Sequence, residues 1–105
     1  MPSLLLSGSL LAAGNIPANR DISVKRQSEL SNLLIQDCGS CHGLKLKGGL
    51  GPALLPDALS GKSASYLSTV ILQGRPGTAM PPWRELLSPA EAQWMANTLL
   101  QGSAL

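Results

Sequence analysis

Two cysteines three positions apart, followed at once by a histidine, are the feature that most constrains this chain. Cys38, Cys41 and His42 form a Cys-x-x-Cys-His run within 105 residues. On a helical turn, residues three apart project to the same side, so each thiol can bond one vinyl-derived carbon of a porphyrin. The spacing therefore predicts one haem c, attached covalently through Cys38 and Cys41, with His42 offering an imidazole nitrogen to the iron.

The run at residues 38–42 is compatible with three other kinds of site. A closed zinc site needs four nitrogen or sulfur ligands, and this chain has two cysteines and one histidine, so carboxylates or a second chain would have to complete it. A thioredoxin-like dithiol normally lies at a strand-to-helix junction, and no strand pattern surrounds these cysteines. A disulfide here closes a very small loop and would contribute little stability. The residues favour covalent haem.

A bound macrocycle also agrees with the composition, although composition does not prove it. A chain of 105 residues forms one small domain with a modest core. It has no Phe, one Tyr and two Trp, yet 44% of its residues are hydrophobic. A porphyrin would supply the large apolar body that these side chains lack. The net charge of +2 and the charged fraction of 13% give no basic stripe, so nucleic acid is not an expected partner.

Residues 1–20 are predicted to be separate from a haem domain at residues 21–105. Apolar residues dominate up to about position 18, as in the hydrophobic region of an export signal. The positively charged start of such a signal is missing, because the first cation is Arg20, and polar residues 7–9 interrupt the apolar run. An export segment, an ordered extension that packs on the domain and an expression remnant all remain open. The run is too short and broken to span a bilayer, so no stable membrane insertion is expected.

Two helices are predicted before the last third of the chain. The first starts at residue 23 or 25 and runs to residue 36, which delivers the chain to Cys38. The second is capped by Ser60 or Ser63, runs through residue 72 and is stopped by Gly74. The residues expected to face inward are Leu30, Leu33 and Leu34 in the first helix and Leu67, Val70 and Ile71 in the second.

The last helix has the clearest start and end. Ser88, Pro89 at the first helical position and Glu91 three residues after Ser88 form a capping box, and Gly102 ends the helix. Its expected apolar face comprises Ala92, Met95, Ala96 and Leu99. The segments between the helices are rich in Gly and Pro, which is typical of irregular loops. The predicted fold is all-α: a compact cytochrome-c-like arrangement of three to four helices wrapped around one haem.

Met80 is the strongest candidate for a second axial ligand of the iron. Because His42 is the only histidine, the sixth position must be taken by Met, Lys, water or no protein group. Met80 lies 38 residues after His42, which is enough chain to reach the opposite face of a haem, and two prolines follow it. Those prolines fix the backbone, so a flexible thioether can be held in one place. A plain loop or core methionine is the alternative.

Pro52 is a candidate partner for the imidazole of His42. A ligating histidine usually donates its other ring N–H to a carbonyl or carboxylate, which orients the ring and raises its basicity. Gly51 and Pro52 lie about ten residues after His42, so the Pro52 carbonyl is a suitable acceptor. From the residues alone, a simple turn at this position is equally compatible.

Together these motifs resemble class I c-type cytochromes over residues 28–101. Three stretches, residues 37–43, 47–56 and 74–83, are similar more narrowly to the small monohaem cytochromes encoded with dissimilatory cytochrome nitrite reductase. The resemblance implies a cytochrome c fold in which the first and last helices cross. It also implies that the Pro52 carbonyl accepts from His42, and that Arg75 and Trp83 approach the haem propionates. The alternative for Arg75 and Trp83 is a surface arginine and an apolar loop anchor.

The resemblance further implies an electron carrier of the periplasm rather than an enzyme. Its expected place is denitrification, as donor to or acceptor from nitrite reductase or the enzymes that mature its d-type haem. A monomer is expected, and a domain-swapped dimer is the alternative because the loops between the attachment motif and Met80 are long. Transient redox contacts are small. The expected docking rim comprises Leu44, Leu46, Ala79 and Pro81, with Lys45 and Lys47 either steering a partner or simply solvated.

Two other functions remain open at the level of sequence. A haem with a labile sixth site could act as a peroxidase or ligand sensor, provided that Met80 does not bind the iron. A dithiol oxidoreductase would use Cys38 and Cys41 without any haem. Retained colour and a thioether–iron absorption band distinguish these functions from an electron carrier.

Overall fold

The computed structural model describes residues 22–105, so the expectations for residues 1–20 lie outside the described part of the chain. Residues 22–105 contain helices and loops but no strand, which confirms the predicted all-α class. The elements are α1 (Val24–Leu33), a π-helical turn (Leu34–Cys38), α2 (Gly39–His42), α3 (Ala64–Gln73) and α4 (Pro89–Gln101).

Helix α1 begins as predicted but ends differently. Ser23 caps it, since its hydroxyl accepts a hydrogen bond from the backbone N–H three residues on at 3.0 Å. Leu30 and Leu34 are fully buried. The prediction of one α-helix to residue 36 is wrong in its last turn, because the backbone from Leu34 to Cys38 widens into a π-helical turn. Such a turn inserts an extra residue and rotates the next helical segment, so it sets the direction in which α2 presents its side chains.

Helix α3 is capped by Ser63, which decides between the two predicted caps. The predicted stop at Gly74 is confirmed: this glycine has a φ of 69°, a conformation that other residues adopt at a cost. Leu67 and Ile71 are buried and Val70 is half-buried. The helix therefore turns its predicted face toward the core.

Helix α4 confirms its predicted capping box. The Ser88 hydroxyl accepts from the Glu91 N–H at 3.1 Å, and the Glu91 carboxylate accepts from the Ser88 N–H at 3.0 Å. Gly102 closes the helix in the left-handed conformation. The predicted apolar face, Ala92, Met95, Ala96 and Leu99, is buried throughout.

The hydrophobic core lies between α4 and the other helices. Helix α4 packs mainly against α3 and also contacts α1, as the first and last helices were predicted to do. The side chain of Arg26 in α1 bonds to Glu91 in α4 across this contact. Leucines dominate the core, whose buried members are Ile22, Leu30, Leu34, Leu46, Leu59, Leu67, Ile71, Leu87, Ala92, Met95, Ala96 and Leu99.

Candidate haem site

The two cysteines lie on one continuous helical stretch that ends at His42. Cys38 closes the π-helical turn, and Cys41 lies in α2 directly before the histidine. Both thiols are half-buried and free, so they are not joined as a disulfide. Burial, reinforced by the charge of Asp37, raises the pKa of the Cys38 thiol to about 11. A dithiol oxidoreductase needs a lowered thiol pKa, so this environment argues against that alternative.

The imidazole of His42 is held by the Pro52 carbonyl. The distance from His42 Nδ1 to the Pro52 oxygen is 2.7 Å. A carbonyl oxygen can only accept, so Nδ1 carries the proton and Nε2 keeps the lone pair. This is the tautomer in which a histidine can ligate a metal through Nε2.

The loop after α2 lies directly against the imidazole. A Cβ atom on Gly51 would stand 2.6 Å from His42 Cε1, and one on Gly49 would stand 2.7 Å from the Cys41 carbonyl oxygen. The Gly51 N–H donates to the Cys41 carbonyl, and the Gly48 N–H donates to the His42 carbonyl, both at 2.8 Å. These two bonds hold the loop against the end of α2. Only glycine fits at such an approach. From the sequence, Gly51 stood out only as the residue before Pro52, and Gly49 had no assigned role.

Leu46 corrects the predicted docking rim. Its side chain is 1% exposed and belongs to the core, so it cannot contribute to an outer surface. It is also the only non-glycine residue between 22 and 105 with a positive φ, at 58°. Such a conformation costs a leucine roughly 1–2 kcal/mol. The other rim leucine, Leu44, is 61% exposed.

Met80 lies in a loop that is tied back to the end of α3. A Cβ atom on Gly74 would stand 2.6 Å from the carbonyl carbon of Pro81 and 2.7 Å from the Met80 oxygen. The Met80 carbonyl accepts from the Arg75 N–H at 3.2 Å, and its N–H donates to the Thr78 hydroxyl at 3.3 Å. The thioether-bearing residue is half-buried. These contacts therefore restrict the backbone conformation of the loop at Met80.

Arg75 and Trp83 flank this loop with different surroundings. The Arg75 guanidinium donates from Nη2 to the Tyr66 hydroxyl at 2.8 Å, and both residues are exposed. Trp83 is half-buried against the core, and its backbone N–H donates to the Ile71 carbonyl at 3.1 Å. Tyr66 was not predicted as a site residue, because the pair depends on the turn at Gly74 that directs Arg75 back along α3.

Other site chemistries find little support in the described residues. No cluster of three or more His, Cys, Asp or Glu side chains that could hold a metal ion occurs between residues 22 and 105. In the same part of the chain, no helix is both long and apolar enough to cross a membrane. The donor set that is present fits a covalent haem instead: two free thiols and an imidazole with an available Nε2, all on one helical stretch.

Comparison with known proteins points to the same cofactor. Residues 26–97 match the family model described as "Cytochrome C oxidase, cbb3-type, subunit III". Cytochrome c55X of Pseudomonas aeruginosa is 49% identical over 102 residues, which cover 95% of this chain and 86% of that protein. A solved structure titled "c-type cytochrome NirC" shares 54% identity at a TM-score of 0.76, over 78% of this chain and 96% of that one. The chain belongs to the NirC-like c-type cytochromes.

This NirC-like cytochrome is also similar to one part of a larger protein. A solved structure titled "Dihydro-heme d1 dehydrogenase NirN in complex with DHE" shares 39% identity with it at a TM-score of 0.63. The match covers 68% of the NirC-like chain and 15% of that protein. The predicted resemblance to small cytochromes of the nitrite reductase system is confirmed by these names.

Proposed function

We propose that this protein is a periplasmic electron carrier whose single haem c is attached through Cys38 and Cys41 and ligated by His42 and Met80. The observation that carries the proposal is the 2.7 Å contact between His42 Nδ1 and the Pro52 oxygen. That bond leaves Nε2 available on the helical stretch that also carries both thiols. When bound, a haem with His and Met ligands supplies one-electron chemistry at a raised reduction potential.

The loop around Met80 supports its assignment as the second ligand. Gly74, the Arg75 N–H and two following prolines all restrict the backbone of this one residue. A ligand held in one place loses little entropy on binding, so a thioether can compete with water for the iron. With both axial positions taken by protein, substrate binding at the iron is excluded and electron transfer remains.

Arg75 and Trp83 are proposed to approach the haem propionates. The guanidinium has five N–H donors, and its bond to Tyr66 uses one of them, which leaves others for a carboxylate. Tyr66 then restricts the rotamers of Arg75. Trp83 is fixed through its backbone bond to α3 and contributes its indole N–H.

Charge and exposed leucines support a transient docking surface close to the attachment motif. Between residues 38 and 84 the chain has five cations and one carboxylate, Asp57. In the loop after His42, Leu44 and Leu50 are 61% and 90% exposed, next to Lys45 and Lys47. Lysines beside exposed leucines suit a redox partner with an acidic face, through faster association rather than tight binding.

The partners that best fit are nitrite reductase and the enzymes that mature its d-type haem. Any dehydrogenation that removes two hydrogens releases two electrons and two protons, so a one-electron carrier serving such a reaction would have to accept an electron twice for each turnover. The likeness of this chain to part of a dihydro-haem d1 dehydrogenase supports that role. The family resemblance supports a periplasmic location as part of this proposal. A monomer is the proposed state, and a domain-swapped dimer is the alternative.

One set of spectra on the matured protein tests the central assignment. The holoprotein is expected to keep its colour after denaturation, to weigh one haem more than the polypeptide, and to show the near-infrared thioether–ferric band. Met80→Ala is expected to lose that band and keep the haem, while Met95→Ala, in the core, keeps both. A wild-type protein without the band would contradict ligation by Met80 and support a labile sixth site.

A further inference from the structure

Leu46 occupies a conformation that its side chain resists. Glycines supply the other positive φ values of the same loop, at Gly43 and Gly48, yet position 46 is a leucine with a φ of 58°. A glycine there would relieve the strain without losing any backbone bond. Residues held against such strain are concentrated at functional sites, where the surrounding structure over-determines them. Burial of the leucine side chain therefore holds the backbone of this loop in its strained conformation, which points to a role at a functional site nearby.

The side chain of Leu46 is anchored in the core. It is one of the few large side chains below 2% exposure, and it lines a small apolar cavity together with Leu54 and Leu99. Leu99 belongs to α4 and to the same buried cluster as Leu46, so the loop after α2 is packed into the core beside the last helix. No other residue of segment 43–50 is buried.

The backbone of Leu46 is bonded on both sides to the segments that hold His42. Its N–H donates to the Gly43 carbonyl at 2.8 Å, one residue after the histidine. Its carbonyl accepts from the Leu54 N–H at 2.9 Å, two residues after Pro52. The same residue therefore ties together the start of the loop, where the imidazole is attached, and its end, where the acceptor oxygen of Pro52 lies.

We propose that Leu46 is a positioning residue that sets the hydrogen bond between His42 Nδ1 and the Pro52 carbonyl. The side chain of Leu46 is fixed in the core, and its backbone bonds join both ends of the loop. The loop in turn places the Pro52 oxygen 2.7 Å from His42 Nδ1. The length of that bond controls how basic Nε2 is. This inference rests on the proposed function only in requiring that His42 ligates the iron.

The consequence for the carrier has a definite sign. If the anchor is removed, the loop relaxes and the bond at Nδ1 weakens, so the imidazole becomes a weaker donor. A weaker donor stabilises oxidised iron less, and the midpoint potential of the holoprotein rises. The Nδ1 proton of His42 also exchanges faster with solvent, by about tenfold, because the bond that protects it opens more readily.

The test uses Leu46→Ala and Leu46→Gly holoproteins with Leu59→Ala as the matched control. Leu59 is a core leucine at 4% exposure in the same buried cluster as Leu46, but it has no positive φ and its N–H bonds to Leu55 and Pro56 rather than to a residue between His42 and Pro52. Its truncation therefore loosens the core without removing a bond of the loop that holds the imidazole. Both Leu46 variants are expected to raise the midpoint potential and to speed exchange of the Nδ1 proton. Leu59→Ala is expected to lower stability and leave both readouts unchanged.

The order of stability and one further variant, Leu46→Met, keep the result decisive. Leu46→Gly is expected to be at least as stable as Leu46→Ala, against the usual order, because glycine accepts the positive φ. Leu46→Met conserves the buried volume and is expected to restore wild-type values of both readouts. If Leu46→Ala does not mature, the glycine and methionine variants carry the same comparison.

The outcomes separate this inference from the proposed function. A wild-type protein in which His42 does not ligate the iron would overturn both. A normal wild-type spectrum, combined with Leu46 variants whose potential and proton exchange match those of Leu59→Ala, would overturn the role of Leu46 alone.

Discussion

The Arg26 side chain in α1 and the Glu91 side chain in α4 form an ion pair whose Nε–Oε2 distance is 2.7 Å. A second guanidinium nitrogen lies 3.4 Å from the other carboxylate oxygen. Glu91 is 19% exposed, and it also accepts from the Ser88 N–H at the start of α4. One carboxylate therefore caps a helix and joins the first and last helices.

This pair is expected to make stability depend on pH in the acid range. The Arg26 bond, reinforced by the Ser88 N–H, holds the pKa of Glu91 below its usual value of 4.5. A carboxyl whose folded pKa is lowered stabilises the fold above the unfolded pKa, and that contribution is lost as the pH falls through the folded pKa. Glu91→Gln should reduce the free energy of unfolding by about 1 kcal/mol at neutral pH.

Denaturant titrations from neutral pH to about pH 3 check this expectation. The difference between the wild type and Glu91→Gln should shrink once the pH drops below about 4.5, as the carboxyl takes up its proton. Glu29→Gln is the control, since that carboxylate is 49% exposed and its pair with Arg26 is local. A difference that stays constant with pH would mean that the ion pair contributes nothing.

The close approach at Gly74 predicts a matched pair of variants in the Met80 loop. Gly74→Ala places a methyl group against Pro81 and the Met80 oxygen, so the loop must shift and the thioether must leave its position. Gly77→Ala introduces the same type of backbone strain, at a φ of 83°, with nothing within 4 Å of the new atom. The near-infrared band should weaken in Gly74→Ala and persist in Gly77→Ala. Equal spectra would show that the contact does not hold the ligand.

The hydrogen bond between Tyr66 and Arg75 predicts graded changes in reduction potential. Removing a cation close to the haem disfavours the reduced state, which carries one less positive charge, so Arg75→Ala should lower the midpoint potential. Tyr66→Phe frees the guanidinium and should give a smaller change of the same sign. Arg84→Ala is the control, because that arginine is exposed beside Glu85. Voltammetry at low ionic strength measures the midpoint potential of all three variants. A potential that is unchanged in Arg75→Ala would contradict the pairing of Arg75 with a propionate.

The exposed lysines after His42 predict a kinetic effect on partner encounter. Reversing both charges, Lys45→Glu with Lys47→Glu, should slow electron transfer with an acidic partner about tenfold at low ionic strength. Lys25→Glu, at an exposed position of α1, should change the rate far less. Stopped-flow rates across a salt series test this expectation. A double variant that keeps the wild-type rate and salt dependence would exclude this loop from the docking surface.

Much of the fold could be predicted because its signals are local. The capping box at Ser88 and Glu91 and the stops at Gly74 and Gly102 need only neighbouring residues, and all are present in the structure. The attachment motif is equally local, since its chemistry lies within residues 38–42. Pattern and turn chemistry were sufficient for these features.

The remaining features depend on contacts between distant segments. Leu46 was expected on an apolar docking rim at the exposed haem edge, but its backbone turns left-handed and its side chain enters the core. The partnership of Tyr66 with Arg75 required the path of the chain at Gly74. The wide turn at Leu34–Cys38 has no composition that distinguishes it from an ordinary helix. Tertiary packing selects all three, so a single sequence does not display them.

The wide turn before the cysteines has a consequence for how such a chain can change over time. It takes up one residue more than a regular helix would, so a chain that lost a single residue between positions 34 and 38 could return to ordinary winding with both thiols pointing almost as before. Winding all of the present residues as an ordinary α-helix would instead rotate both thiols by roughly 100° around the helix axis and present an intact attachment motif toward the wrong side. In this protein the correct aim of the motif therefore depends on the winding of this turn as well as on residue identity.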